Sequence, residues 1–432
     1  MPAISFFLNI PFVKQIKSSG IGFVFFAFAI FFQFHGISYS QTRNLNYYID
    51  NAIKTDPIIN ENKLLLTTHN IRKELVRSSV SKPRLFTTAN YLFAPTFGEF
   101  GYDSAVTNGG LYSALLNFEL PLFTGYTSDS KLEEIINEQN TFKNNIITSE
   151  HEITKNVTEQ YIKTYRDKEQ INSVNDVLNI LDLQREIVKK LVDRSLAKIS
   201  DLTLLDIEYQ TQVINKKQFE INYETDLMDL NLLAGVKDTA IVELEPPGIK
   251  LTEDASKKSY FLKSYILDSL KFSTEKKLNE SNYKPQLTFF VNGGLNAVSY
   301  TEMWKKIGVS TGINFLFSLY DGNQRGLNDQ LIDIKTENIT YQKNYFIYHN
   351  ETRKQNILKE LENQKNLLVE MEKQLVNYET LLNLYRNQFA AGEVSMMDYI
   401  NILKSYISYK NEIILNRNQQ LTIINEYNYW NW

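Results

Sequence analysis

The 432-residue sequence contains no cysteine. This absence excludes disulfides, thiolate metal sites, a cysteine nucleophile and a lipid carried by a cysteine. Proline (9) and glycine (17) are few, whereas tyrosine and phenylalanine (26 each) are plentiful, so the composition is not that of a disordered or loop-rich chain. The formal net charge of −4 gives no indication of a nucleic-acid partner.

Patterns typical of enzymes and metal sites are also missing from the sequence. No pair of histidines has the spacing of a zinc site, and there is neither a glycine-rich phosphate loop nor a nucleophile elbow. The chain has only 6 methionines, and Met396-Met397 is an isolated pair rather than a soft-metal cluster. We therefore predict a protein that is not an enzyme and that holds no cofactor and no metal. The four histidines are His35, His69, His151 and His349.

The first forty residues have the features of a cleaved secretory signal. Lys14 and Lys17 precede an apolar run over 21–34, and Ser38-Tyr39-Ser40 places small residues where a signal peptidase reads them. The alternative is a transmembrane anchor, but the run is shorter than the ~18 to 20 residues that span a bilayer. We predict a signal peptide over 1–40.

A long polar helix pattern extends from about 322 to 389. Its apolar residues alternate in steps of three and four, which is the seam of helices that wrap around one another. A helix of this size would be about 100 Å long. Gly392 is placed to end it and Ser395 to cap a return helix that continues to about 427. The seam residues are Leu368, Met371, Leu375, Tyr378, Leu382, Tyr385 and Phe389.

Four segments show the two-residue alternation of strands. They lie at about 85–93, 108–120, 287–297 and 307–319, and the longer ones match a tilted strand that crosses a bilayer. Four strands cannot close a barrel, and an open edge in lipid leaves unsatisfied backbone groups. Several chains must therefore supply the strands, and three chains would give twelve.

The order of elements occurs twice, with matched landmarks about 195 to 202 residues apart. We predict a first repeat over 41–240, a connector over 241–255 and a second repeat over 256–428. Within them, the hairpins are expected at about 84–120 and 286–319, and the long helical hairpins at 126–235 and 322–427. The residues expected at the junctions of strands and helices are Pro83, Pro121, Gly125, Pro285 and Gly322.

The duplicated landmarks resemble those of the TolC family of outer-membrane efflux proteins over nearly the whole chain. They are Lys82-Pro83 and Lys284-Pro285 before the hairpins, Pro121 to Gly125 and Leu319 to Gly322 after them, and the tip 392–398. The resemblance implies a mainly α fold with β-strands in the membrane. Each chain would contain a duplicated unit of helix, β-hairpin and long helical hairpin. Three chains would form a trimeric 12-stranded β-barrel continued by an α-helical periplasmic tunnel. The resemblance also implies a homotrimer in outer-membrane lipid, with a periplasmic adaptor protein and an inner-membrane pump of RND or ABC type as partners.

The resemblance implies an entrance at the periplasmic tips. The family pattern places an acidic residue six positions after the tip glycine, which here gives Asp398 after Gly392. Three copies of Asp398 would form a cation-attracting ring; alternatively, Asp398 only stabilises the first turn of its helix. Asn401, Val394 and Phe389 stand where some members have an acid, an arginine and a tyrosine. In the first repeat, we align Ala197 with the tip glycine, Ser200 with Ser395 and Thr203 with the acidic position, with Asp201 and Asp206 close by.

The two tips are also the surfaces where the resemblance implies adaptor docking, since their small residues allow close approach. The alternative is that these residues serve only to reverse the chain. The residues concerned are Leu196, Ala197, Lys198, Ser200, Ala391, Gly392, Glu393 and Ser395.

The function expected from these observations is a passive conduit for small toxic molecules from periplasm to exterior, as the outer-membrane part of a tripartite efflux system. Within the same family, the alternative is the exit duct of a type I (ABC) protein secretion system, and the sequence does not distinguish the two. A further alternative from another class is a secreted coiled-coil structural protein.

Overall fold

The structure is a computed structural model that describes residues 42–95, 97–103, 109–122, 125–253 and 259–432. The predicted signal peptide lies outside the described residues, as does the expected start of the second repeat at 256. The helices are α1 (Leu45–Thr55), α2 (Pro57–Ser81), α3 (Gly125–Asp193), α4 (Ile199–Leu233), α5 (Tyr260–Ser281), α6 (Gln324–Ala390) and α7 (Met396–Trp430). The strands are β1 (Thr42–Arg43), β2 (Arg84–Ala94), β3 (Gly109–Pro121), β4 (Glu243–Leu244), β5 (Gln286–Ala297) and β6 (Ile307–Leu316).

The first helical segment differs from its prediction. The sequence pattern over 44–79 indicates one helix, but the structure has two, with a break at Asp56. Pro57 disfavours helical backbone at the residue before it and is well suited to a first helical turn. Asp56 is accordingly extended, and its side chain accepts a hydrogen bond from the Ile59 N–H at 2.8 Å.

Four strands form one antiparallel sheet in the order β2-β3-β5-β6. The predicted strands are present, although β6 ends at Leu316 and not at 319. The last pair of that ladder joins Leu316 to Gln286. The next residue on the partner strand is Pro285, which has no N–H to donate, so the ladder stops there.

The register sorts the side chains of all four strands onto two faces. One row joins Thr87, Leu116, Gly293 and Val309 across the sheet, and every second row places its side chains on the same side. That apolar face also carries residues such as Phe118, Val291, Ile313 and Phe315. The opposite, polar face carries Asn90, Ser113, Asn117, Asn292, Asn296, Ser310 and Asn314.

The long helices pack as two hairpins, α3 with α4 and α6 with α7. The seam predicted for α6 is confirmed, since Leu368, Met371 and Leu382 are buried. On α3, a seam of the same kind is buried at Val174, Val177, Leu181 and Val188, and the polar Gln184 within it is only 2% exposed. In the described part of the chain, no helix is both long and apolar enough to cross a membrane.

The connector between the repeats contains a strand that its sequence did not indicate. Strand β4 pairs in parallel with β1, so the connector is tied to the start of the described chain. The hydroxyl of Tyr161 on α3 lies 2.6 Å from the Glu245 carbonyl oxygen and 3.0 Å from that of Arg43. Tyr223 on α4 donates to the Val242 carbonyl at 2.6 Å. Burial raises the pKa of both tyrosine hydroxyls.

Candidate functional site: the tips of the helical hairpins

Both tips close with the same helix-ending motif. In the second repeat, the Gly392 N–H bonds to the Phe389 carbonyl and the Glu393 N–H to the Gln388 carbonyl. In the first repeat, the Ser195 N–H bonds to the Val192 carbonyl and the Leu196 N–H to the Leu191 carbonyl. These are the paired bonds of a chain that reverses through a left-handed residue.

The two motifs are 197 residues apart, which corrects the predicted alignment of the tips. Ser195, with φ +59°, is the counterpart of Gly392, with φ +78°. Lys198 is therefore the counterpart of Ser395, and both are helix N-caps. The alignment of Ala197 with Gly392 and of Ser200 with Ser395 is wrong by two residues.

The corrected alignment places an acid in both repeats at the position that the sequence predicts for an entrance. Asp201 follows Ser195 by six residues, as Asp398 follows Gly392, so Thr203 does not occupy the acidic position. Asp201 accepts a hydrogen bond from the Lys198 N–H at 2.9 Å, and Asp398 accepts from the Ser395 N–H at 3.2 Å and from its hydroxyl at 2.6 Å. Each acid thus caps its own helix, while the Asp398 side chain stays exposed.

A hydrophobic core joins the two hairpins directly behind the tips. Phe389, predicted as an entrance residue, is 8% exposed and belongs to this core, and the partly buried Val394 and Ala197 pack against it. Burial raises the pKa of the Tyr399 hydroxyl to about 12. The buried members are Val177, Leu181, Val188, Leu205, Leu382, Phe389, Met396, Tyr399, Ile400, Leu403 and Tyr406.

Ion pairs hold the helices together near the tips. The Arg185 guanidinium on α3 contacts Asp206 on α4 at 2.6 Å and stacks on the Tyr209 ring, and its bond with Asp206 raises the pKa of Arg185. Glu208 on α4 is buried, and Lys404 on α7 lies 3.3 Å from it. Asp206 is therefore engaged within the protomer. Of the entrance candidates, Asp398, Asn401 and Thr203 are exposed, and Asp201 is half-buried.

Solved structures of outer-membrane channels share this architecture. VceC of Vibrio cholerae aligns with a TM-score of 0.69 at 12% identity, over 90% of this chain and 96% of that one. The CmeC channel of Campylobacter jejuni aligns with a TM-score of 0.67 at 12% identity, over 90% and 85%. The open MtrE channel of Neisseria gonorrhoeae aligns with a TM-score of 0.68 at 12% identity, over 90% and 89%.

The chain has the TolC-type fold. No family model matches the sequence, and no curated protein matches it, so the likeness is one of structure. The fold class predicted from the duplicated landmarks is confirmed at this level, with a four-stranded sheet and two long helical hairpins in one chain.

In the TolC-type fold, the predicted junction residues lie where strands and helices meet. Pro83 and Pro285 directly precede β2 and β5, Pro121 ends β3, and α3 begins at Gly125. Gly322 has φ +71° and the following Asn323 has φ +66°, so the chain turns through two left-handed residues before α6. Among the described residues, no cluster of three or more histidine, aspartate or glutamate side chains could hold a metal ion.

The two tips expose different side chains. The first tip exposes Leu196 (71%) and Ile199 (75%), and the second exposes Met397 (49%) beside Glu393. The sequence alone placed Asp201 only close to the acidic position, because the tip alignment was two residues off, and it did not single out Ile199. The constant spacing of 197 residues from Leu122 to Leu319 and from Gly125 to Gly322 was the signal that could have corrected the alignment.

Proposed function

We propose that this chain is the outer-membrane channel of a tripartite export system. Three copies would form a barrel in the outer membrane, with the helical part in the periplasm. The channel would be a passive conduit for small toxic molecules, driven by an inner-membrane pump of RND or ABC type through a periplasmic adaptor. The chain itself would carry out no chemistry. The likeness to the VceC, CmeC and MtrE channels supports this proposal.

The observation that carries the proposal is the register of the sheet. It gathers the apolar side chains of four strands on one face, where Ile307 and Val309 are 71% and 79% exposed. Such an exposed apolar surface is unfavourable in water and favourable against lipid tails. Strands β2 and β6 are edges of the sheet, and in lipid their free backbone groups need partners. Pairing β6 of one copy with β2 of the next satisfies both requirements.

The adaptor would dock at the tips. Leu196 and Ile199 supply an exposed apolar contact, and Ala391 and Gly392 leave the backbone open to close approach. This proposal keeps Lys198, Ser200, Glu393 and Ser395 as flanking polar residues of the same surface.

The entrance would carry six carboxylates, from Asp201 and Asp398 of three copies. We expect Asp398→Asn to lower the preference for cations in bilayer recordings, because one ring of charge is removed. Asp206→Asn is the matched control, since Asp206 is paired with Arg185 inside the protomer. Unchanged selectivity in Asp398→Asn would assign this residue to helix capping alone.

The first experiment is electron microscopy of the detergent-extracted protein. A threefold tube about 100 Å long or more, with a detergent collar at one end, is expected for the conduit. Thin rods without a collar would support the coiled-coil structural protein instead. A susceptibility panel on a deletion strain, beside a comparison of its secreted proteins, then identifies the cargo. Unchanged tolerance to drugs with loss of a secreted protein would replace efflux by type I secretion.

A further inference from the structure

The polar face of the sheet carries almost no charge. In strands β2, β3, β5 and β6, the only charged residues are Arg84 and Glu119, and the register places them directly opposite each other. The rest of this face consists mainly of asparagine, serine, threonine and glycine. In the proposed conduit this face lines the lumen, so cargo would pass a wall that selects little by charge.

Two phenylalanines interrupt this polar wall, besides the leucines Leu92, Leu111, Leu115 and Leu316. Phe86 on β2 pairs with Asn117, and Phe290 on β5 pairs with Glu119 and Gly312, so both rings lie on the polar face. Both are half-buried. The alternation of the strands accounts for apolar side chains on the face proposed to meet lipid. It does not account for aromatic side chains on the opposite, water-facing wall.

Gly312 allows the Phe290 ring to lie flat on the sheet. A Cβ atom at residue 312 would stand 2.7 Å from Cζ and 3.0 Å from Cε1 of Phe290, closer than side-chain carbons approach. The ring therefore covers the glycine and turns one of its faces toward the lumen. At Gly308, on the same face of β6, a Cβ would meet nothing within 4 Å.

The sheet order spaces these rings evenly. Because the strands are ordered β2-β3-β5-β6, each Phe-bearing strand is followed by one without a luminal phenylalanine at this level. Closing three copies into a barrel would place six rings on alternate strands, at two adjacent levels near the helical end. The Arg84 guanidinium lies 5.5 Å from the Phe86 ring centroid, so one of these rings already contacts a cation.

We propose that Phe86 and Phe290 form an aromatic binding band on the luminal wall, which planar aromatic solutes, cationic ones above all, contact as they leave. This inference rests on the proposed function and names a substrate class for it. Stacking on an aromatic face and attraction of a cation to it act together in such a contact. A flat ring leaves the lumen open, so the band retards and selects cargo without closing the channel.

The test uses the reconstituted full-length protein in planar bilayers, with propidium, a planar aromatic dication, added on the barrel side. The wild type is expected to show blocking events. Phe290→Leu keeps an apolar side chain but removes the aromatic face, and we expect it to shorten the blocked dwell time about twofold to tenfold. Phe289→Leu is the matched control, because Phe289 is the neighbouring residue on the apolar face.

A second pair of variants tests the geometry without removing the ring. Gly312→Ala should lift the Phe290 ring from the wall and shorten the block as Phe290→Leu does, whereas Gly308→Ala should match the wild type. If Phe290→Leu and Phe289→Leu give the same blocked dwell time, the aromatic band is wrong. The same holds if Gly312→Ala and Gly308→Ala give the same dwell time. Either result would leave the conduit itself standing. A wild-type protein that forms no channels would overturn the conduit, and the band with it.

Discussion

Ser195 adopts a left-handed backbone conformation that its side chain disfavours. Its counterpart Gly392 has no such penalty, and nothing lies within 4 Å of the place where a Cβ would stand. We expect Ser195→Gly to raise the free energy of unfolding by about 0.5–1 kcal/mol, since relief of strain exceeds the added entropy of the unfolded chain. Gly392→Ser should lower it by a similar amount. Thermal unfolding followed by circular dichroism checks both, and a lower midpoint for Ser195→Gly would contradict the strain.

Asp167 is a fully buried carboxyl between α3 and α4, with the Asp226 carboxyl beside it. Arg166 lies 2.9 Å from Asp167, and Lys163 lies 2.8 Å from Asp226. Burial is the main cause that raises the pKa of Asp167, to about 6. The neighbouring Asp226 carboxyl raises this pKa further, and Arg166 opposes the shift. Because the folded pKa lies above the unfolded one, the contribution of Asp167 to stability is greatest below about pH 4 and is lost as pH rises through about 6.

Asp167→Asn should therefore be more stable than the wild type at pH 7.5, by about 1–3 kcal/mol, and nearly equal to it at pH 4.5. Gln364 occupies the corresponding place in the second repeat, so a neutral side chain fits this kind of site. Unfolding midpoints at the two pH values measure the effect, with the exposed Glu159→Gln as control. A variant that is less stable than the wild type at pH 7.5 would show that the pairing with Arg166 dominates.

Elements with a clear period were predictable, and elements without one were not. The alternation of β5 and β6 and the seams of α3 and α6 follow from burial on one face, which a sequence shows directly. The break at Asp56 was not predicted, because the helical pattern over 44–79 is continuous and only Pro57 indicates that a new helix begins there. Strands β1 and β4 have two residues each and no period, so only the structure reveals them. At the tips, Ser195 stands where the second repeat has Gly392, so the predicted alignment was two residues off and gave the acidic position to Thr203 instead of Asp201.

The hydroxyl of Tyr161 lies within hydrogen-bond distance of carbonyl groups on both β1 and the residue after β4. Tyr161→Phe leaves these buried carbonyls with fewer partners, so we expect a loss of about 1–3 kcal/mol in the free energy of unfolding. Faster proteolysis within the described part of the connector, 241–253, should accompany it. Tyr165→Phe, on the partly buried neighbouring turn of α3, is the control. Equal proteolysis of the two variants would show that the strands hold the connector without Tyr161.

At the scale of the whole molecule, the sheet of one chain is open and ends in two edge strands, β2 and β6. An interface between the different edges β6 and β2 is head-to-tail, and such an interface gives either a closed ring or an open fibre. The strong twist of a short sheet with one apolar face favours a ring in lipid. The number of copies is therefore the property that decides between a channel and an aggregate.

Because the chain has no cysteine, this number can be counted by crosslinking. Thr87 and Thr311 are exposed residues on the two edge strands, both on the apolar face. In the variant Thr87→Cys with Thr311→Cys, a flexible bifunctional thiol reagent should join neighbouring copies in detergent. We expect bands of one, two and three chains and none larger, because the third link closes the ring. Thr87→Cys alone, which lacks the second edge, should remain a monomer on the same gel. A ladder that continues beyond three chains would mean that the edges propagate a fibre, and a barrel of three copies would then be wrong.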